Sequence, residues 1–117
     1  MKHLLLTTIA AVLVVGCGPS VDIHEAAEAG NIEAVKQAIA NGVDVEVKDA
    51  FRRTPLHGAA NKEVAELLIE KGADVNAKDE DGWTPLDYAE SGKFTETADL
   101  LRKHGGKTGA ELKAEVK

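Results

Sequence analysis

Apolar residues recur along the chain at helical spacing, in short blocks separated by turn residues. Ile23, Ala26 and Ala27 lie on one face, with Asp22 placed to cap and Gly30 to stop the segment. Asn31 then precedes Ile32, Val35 and Ile39, a second stripe at i, i+3, i+7 that ends at Asn41-Gly42. These two blocks predict a pair of short antiparallel helices. The pattern returns after Thr54: Leu56, Ala59 and Ala60 form one apolar face, and Val64, Leu67, Leu68 and Ile69 form the next, stopped by Lys71-Gly72. It returns again after Thr84, with Leu86 and then Ala98, Leu100 and Leu101, ending at His104-Gly105. Pro55 and Pro85 follow their threonines at the first helical position, where a missing N–H is no loss. Thr84-Pro85-Leu86-Asp87 predicts a capping box, the Asp carboxylate reaching back to the Thr amide.

The helix pairs are joined by two similar stretches, Gly42 to Arg53 (GVDVEVKDAFRR) and Gly72 to Trp83 (GADVNAKDEDGW). Both read as hairpin-like projections around an Asp- or Gly-containing turn. His24 and His57 are 33 residues apart, whereas Thr54 and Thr84 are separated by only 30. The missing residues fall between Ala60 and Glu63, where only Asn61-Lys62 remain, so the turn between the helices of the middle unit is expected to be clipped. Arg52 stands where Gly82 stands one unit later. If that position needs a positive φ, the arginine costs about 1–2 kcal/mol.

A period of this length signals stacked repeats, none of which buries its own apolar face. Thr54-Pro55-Leu56-His57-x-Ala59-Ala60 and Gly72-Ala73-Asp74-Val75-Asn76-Ala77-x-Asp79 resemble the ankyrin repeat. The resemblance implies an all-α solenoid of three stacked helix pairs with short β-hairpin-like projections, spanning about 21–49, 50–79 and 80–106. It also implies protein binding through the projection tips and the concave face. Mapped onto this sequence, the candidate contact residues are Ala50, Phe51, Arg53, Asn61, Lys62, Glu80, Asp81, Trp83, Tyr88 and Ser91. Phe51, Arg53, Trp83 and Tyr88 are of the types that dominate interface energetics. Trp83 either projects or packs on the neighbouring projection. Asp87 replaces the histidine of the Thr-Pro-Leu-His phrase, and an ionised carboxylate accepts hydrogen bonds without donating any. Residues 107–117 lie beyond the repeats. Thr108 is placed to cap a short helix with Leu112 and Val116 on one side, giving a C-terminal cap or tail.

The N-terminus carries a different signal. One Lys precedes an uncharged run from Leu4 to Val15, too short for a membrane-spanning helix, which takes about 20 residues. A basic start, an apolar centre and a small-residue end describe a secretory signal peptide over residues 1–16. Val14-Val15-Gly16-Cys17 resembles the bacterial lipobox, which implies cleavage before Cys17 and its acylation. A plain signal peptide with an incidental cysteine, or an uncleaved anchor, are the alternatives. Gly18, where Asp would favour inner-membrane retention, points to the periplasmic side of an outer membrane if the cell has two membranes. Residues 17–20 are then a short tether.

Composition narrows the remaining choices. A formal charge of −6 with no basic patch argues against nucleic acid. Cys17 is the sole cysteine, so no disulfide framework or thiolate cluster is available. Gly106-Lys107-Thr108 imitates the end of a phosphate loop, but Leu101 occupies the position that would need glycine. His24 and His57 would stack one repeat apart without evident further metal ligands. No nucleophile–base constellation is present. The expected protein is thus a monomeric, lipid-anchored envelope protein without catalytic site, metal or cofactor, which binds another protein. The rival readings are an envelope accessory or inhibitory, immunity-type protein acting on one enzyme, a metal-binding or enzymatic protein, and a structural spacer.

Overall fold

The computed structural model describes residues 22–115, so the leader, Cys17 and Val116 fall outside them. Among the described residues there are six α-helices, one 3-10 helix and no strand: α1 (Ile23–Ala29), α2 (Ile32–Ala40), the 3-10 helix Pro55–Gly58, α3 (Lys62–Glu70), α4 (Pro85–Ser91), α5 (Thr95–Lys103) and α6 (Gly109–Glu115). α1, the 3-10 helix and α4 stack as one layer; α2, α3 and α5 stack as the other. The expected caps form. Asp22 accepts from the His24 amide and Asn31 from Ala34; Asn61, which the sequence does not mark as a cap, accepts from Val64. Asp87 reaches back to the Thr84 amide at 2.9 Å.

The core runs continuously between the layers. Ile23, Ala27, Leu56 and Leu86 come from the first layer and Val35, Val64, Leu68 and Leu101 from the second. The buried stripe of each second helix is narrower than its apolar pattern. Leu67 and Ile69 on α3, like Ile32 and Ile39 on α2, are only partly buried, and Ala38 and Ala65 are buried instead. A second helix faces the first layer with one edge only, so flanking apolar residues end in the grooves between successive repeats.

The clipped middle repeat loses more than a turn. Its first helix is a single 3-10 turn, after which Ala59 is extended (φ −60, ψ 112). The shortcut is tied to the preceding repeat: the Ala60 amide donates to Ala27 O at 3.1 Å and Asn61 Nδ2 to Gly30 O at 3.2 Å. Arg52 does take a positive φ of 65, matching Gly82 at 84. The sequence does not signal a second such residue, Lys93 at φ 62, which follows the C-cap Gly92 (φ −87) at the end of α4.

The projections are turns rather than β-hairpins. Each is closed by an aspartate side chain, described below, so no strand ladder is needed to hold it.

The C-terminal segment occupies the place of a fourth repeat, and Asp87 explains how. In the first two repeats a histidine Nε2 lies against a carbonyl of the next one: His24 against Arg53 O at 3.0 Å, His57 against Trp83 O at 2.9 Å. Asp87 instead accepts from the Gly109 amide at 2.8 Å. The exchange of donor for acceptor matches the exchange of a repeat carbonyl for a tail amide. An added Cβ at Gly109 would collide with the Gly82 carbonyl oxygen, so the close approach requires glycine. Thr84 Oγ1 donates to Lys107 O at 2.6 Å, and Asn76 holds both the Lys107 amide and Gly105 O. Thr108 and Glu111 cap α6 reciprocally, but α6 buries no residue. Asp87→His should therefore release the tail. Its imidazole N–H would face the Gly109 N–H, and loss of one charge-assisted bond of about 1.5 kcal/mol predicts roughly 10-fold faster amide exchange over residues 107–115. Exchange unchanged in that segment would show that Asp87 does not hold it.

Candidate functional site

The two tips are built by one device used twice. Asp49 Oδ1 accepts from the amides of Phe51 (2.8 Å) and Arg53 (2.9 Å), while the Asp49 amide donates to Arg53 O at 3.0 Å. Thirty residues on, Asp79 Oδ1 accepts from Asp81 and Trp83, both at 2.9 Å, and its amide donates to Trp83 O at 3.0 Å. An aspartate side chain that binds backbone two and four residues ahead closes a turn locally. The two carboxylates differ in what their other oxygen takes. Asp49 Oδ2 receives the Arg53 guanidinium through Nε and Nη2, both at 2.8 Å. Asp79 Oδ2 receives the Tyr88 hydroxyl. The tips are also linked, because the Glu80 amide donates to Phe51 O at 3.1 Å.

Burial works against the charge on both aspartates, but their donors outweigh it and leave each below the usual carboxylate range. For Asp49 these are the Arg53 amide and guanidinium and the Phe51 amide; for Asp79, the Tyr88 hydroxyl and the Trp83 and Asp81 amides. Burial and the bond to Asp79 together push Tyr88 up to about 12.

The sequence-predicted residues divide accordingly. Phe51 projects, 56% exposed, with the Arg53 guanidinium 5.4 Å from its ring centre. Trp83 projects and packs, but on helix α4 rather than on the neighbouring projection. It stacks edge-on to Tyr88 at 5.4 Å and remains 44% exposed. Ala50, Glu80 and Asp81 are exposed around these rings. Arg53 and Tyr88 belong to the site as supports, half-buried and engaged with the aspartates. Asn61 does not join it: its oxygen caps α3 and its amide holds the first repeat. Lys62 lines a groove between α3 and α5 with Glu66 and Leu100. Ser91 is exposed at the far end of α4. The organisers that sequence reasoning missed are Asp49 and Asp79. The available signal was the Lys-Asp pair at 48–49 that returns at 78–79. A groove of about 390 Å³ also opens beside Trp83, with Lys78 on one side and Lys113 of α6 on the other.

His57 supports the second tip from beneath. It is 3% exposed, and its ring lies edge-on to Tyr88 at 5.3 Å. Nδ1 accepts the Thr54 amide at 2.9 Å, so Nε2 carries the proton donated to Trp83 O. This neutral tautomer has no lone pair left for a metal. Burial, ahead of the opposing bond to Trp83 O, holds the imidazole below its ordinary 6.5. The unfolded chain therefore binds the proton first, and the stability this group contributes is lost as pH falls below about 6.5. Urea unfolding should show a lower midpoint at pH 5.5 than at pH 7.5. His57→Gln, which can accept and donate at similar positions without titrating, should flatten the difference.

A family model described as ankyrin repeats, in three copies, matches residues 23–114. No curated protein matches the chain.

Proposed function

Because the chain belongs to the ankyrin-repeat family, a family of protein–protein interaction modules, we propose that it is a non-catalytic binding protein of the bacterial envelope. In this reading it is anchored by lipid on Cys17 and grips its partner with the two aspartate-closed tips. The observation that carries the reading is the pairing of Phe51 and Trp83. Two large aromatic rings stand about half exposed on backbone held by Asp49, Asp79 and the Phe51–Glu80 bond. An exposed aromatic on a rigid support loses little conformational entropy on binding, which makes it a suitable interface anchor. Glu80, Asp81 and Ala50 form the rim, and Arg53 and Tyr88 keep the anchors in place. The anchor rests on the Val14-Val15-Gly16-Cys17 phrase, and Gly18 favours the periplasmic face of an outer membrane. The protein acts as a monomer.

Affinity capture from envelope extract, with a Cys17→Ser chain as bait, tests both halves. Cys17→Ser should move the protein from the membrane to the soluble fraction; persistent membrane association would reject the lipid anchor. Phe51→Ala combined with Trp83→Ala should weaken capture by at least about 10-fold, since each hot-spot aromatic contributes more than about 1 kcal/mol. Phe51→Ala alone should leave the melting temperature nearly unchanged. Undiminished capture by the double variant would remove the tips from the interface.

A further inference from the structure

Two of the partly buried apolar residues of the second helices, Ile39 and Leu67, meet across one groove. Ile39 and Ala40 of α2 face Leu67 of α3 across a groove of about 250 Å³, with Lys36 on one lip and Lys71 on the other. The spacing produces this arrangement. Lys36, Ile39 and Ala40 stand at i, i+3, i+4 on α2, and Lys71, the C-cap of α3, stands at i+4 from Leu67, so each set shares a face. No carboxylate lines the groove. Lys36 has only Glu33 near it among the described residues, at 3.9 Å with both side chains exposed, and Lys71 has no ion-pair partner among them.

The next groove along the same layer, between α3 and α5, provides an internal comparison. Repeat stacking creates it by the same geometry, yet it is lined by Glu66, Glu96 and Asp99 beside Lys62 and Lys103, with Leu100 its one apolar residue. Glu66 stands thirty residues after Lys36, so the equivalent lip position has changed sign. Stacking alone therefore does not demand lysine lips and an aliphatic floor; only the first groove has them.

We propose that the groove between α2 and α3 docks a segment of a partner protein that presents an aliphatic side chain flanked by carboxylates. The aliphatic group covers Ile39 and Leu67, and the carboxylates meet Lys36 and Lys71. An acidic amphipathic helix has this chemistry. Two lysines on a chain of net charge −6 are too few for a nucleic acid or an anionic membrane. The groove shares no residue with the tips, so it is a second interface, independent of the first.

The probe is a labelled amphipathic peptide with a leucine stripe flanked by glutamates, titrated by fluorescence anisotropy against the full chain. Lys36→Glu with Lys71→Glu should weaken binding by at least about 10-fold, because like charges then meet across the contact. Replacing the peptide glutamates by glutamine should also weaken it. Lys62→Glu with Lys103→Glu, in the neighbouring groove, should leave it unchanged, as should Phe51→Ala at the tip. Should charge reversal disturb the circular dichroism melt, Lys36→Gln with Lys71→Gln replaces it, with the same direction expected. The proposal is overturned by absence of saturable binding to the wild-type chain, or by equal loss in both double-lysine variants, which would indicate a general charge effect. It is equally overturned if sedimentation shows a wild-type dimer that Lys36→Glu/Lys71→Glu converts to monomer, which would assign the groove to a second copy. Binding here with no effect of the tip variants on envelope capture would reject the tips and retain the groove.

Discussion

Leu68→Ala should destabilise the protein by about 2–5 kcal/mol, the range for emptying a buried leucine site that relaxes only in part. Leu68 has no exposed surface and lies on α3, the middle helix of its layer, with repeats on both sides. Against a typical total of about 5–15 kcal/mol, such a loss is a large share, and it should lower the melting temperature by at least about 10 °C. Leu67→Ala is the informative companion. The two residues are adjacent and chemically identical, but Leu67 is only partly buried at the groove edge. Its truncation should cost about 1 kcal/mol, a fraction of the value for full burial. Urea unfolding of both variants makes the comparison, and equal losses would mean that the flank of α3 is core after all.

Asp79→Ala is expected to cost about 2–4 kcal/mol and to disorganise the second tip. Asp79 is 7% exposed and accepts from three donors: the Asp81 and Trp83 amides and the Tyr88 hydroxyl. Removing the carboxylate leaves those donors without a partner where water reaches poorly, and the penalty for unsatisfied buried groups exceeds the net gain of the bonds themselves. Trp83 is the only tryptophan, so its fluorescence reports the tip directly. A red shift of its emission should accompany the loss of stability. Asp79→Asn keeps an oxygen for the two amides and should recover more than half of the loss. Acid gives the same information without mutation. The Asp79 carboxyl is held below its ordinary 3.8 in the folded state, so the stability it contributes is present above that pH. It is lost as pH falls from there through the folded value. Tyr88, raised to about 12, does not titrate in this range. An unshifted emission spectrum in Asp79→Ala would show that the tip closes without the aspartate.

Asp79 also illustrates where reading along the chain stops. Its type and position were visible, and its recurrence from Asp49 at an interval of thirty was available. Yet interface statistics draw attention to the large residues around it, Phe51, Arg53, Trp83 and Tyr88. The structure separates these four into two exposed rings and two supports of the turns. Which is which depends on the second carboxylate oxygen: Arg53 takes it in one tip and Tyr88 in the other. Asn61 reads as a surface residue along the chain, but both ends of its amide are engaged, one in α3 and one in the preceding repeat.

What the sequence by itself determined is what depends on neighbours within a turn or two. The caps at Asp22, Asn31 and Thr84, the stops at glycine and the positive φ of Arg52 follow from local sterics and short-range hydrogen bonding. Recurrence of those local signals is enough to specify stacked helix pairs. Only the tertiary structure decided which edge of each apolar stripe is covered, so that Leu68 is core and Leu67 lines a groove. It also decided that the clipped repeat shortens its first helix to a 3-10 turn, because Ala27 O and Gly30 O on the neighbouring repeat supply the shortcut with partners. And it matched Asp87 to the Gly109 amide, where earlier repeats match histidine to a carbonyl. Burial and hydrogen-bond satisfaction are properties of pairs of surfaces. Each repeat supplies only half of a pair, so the second half enters the account only when the stack is assembled.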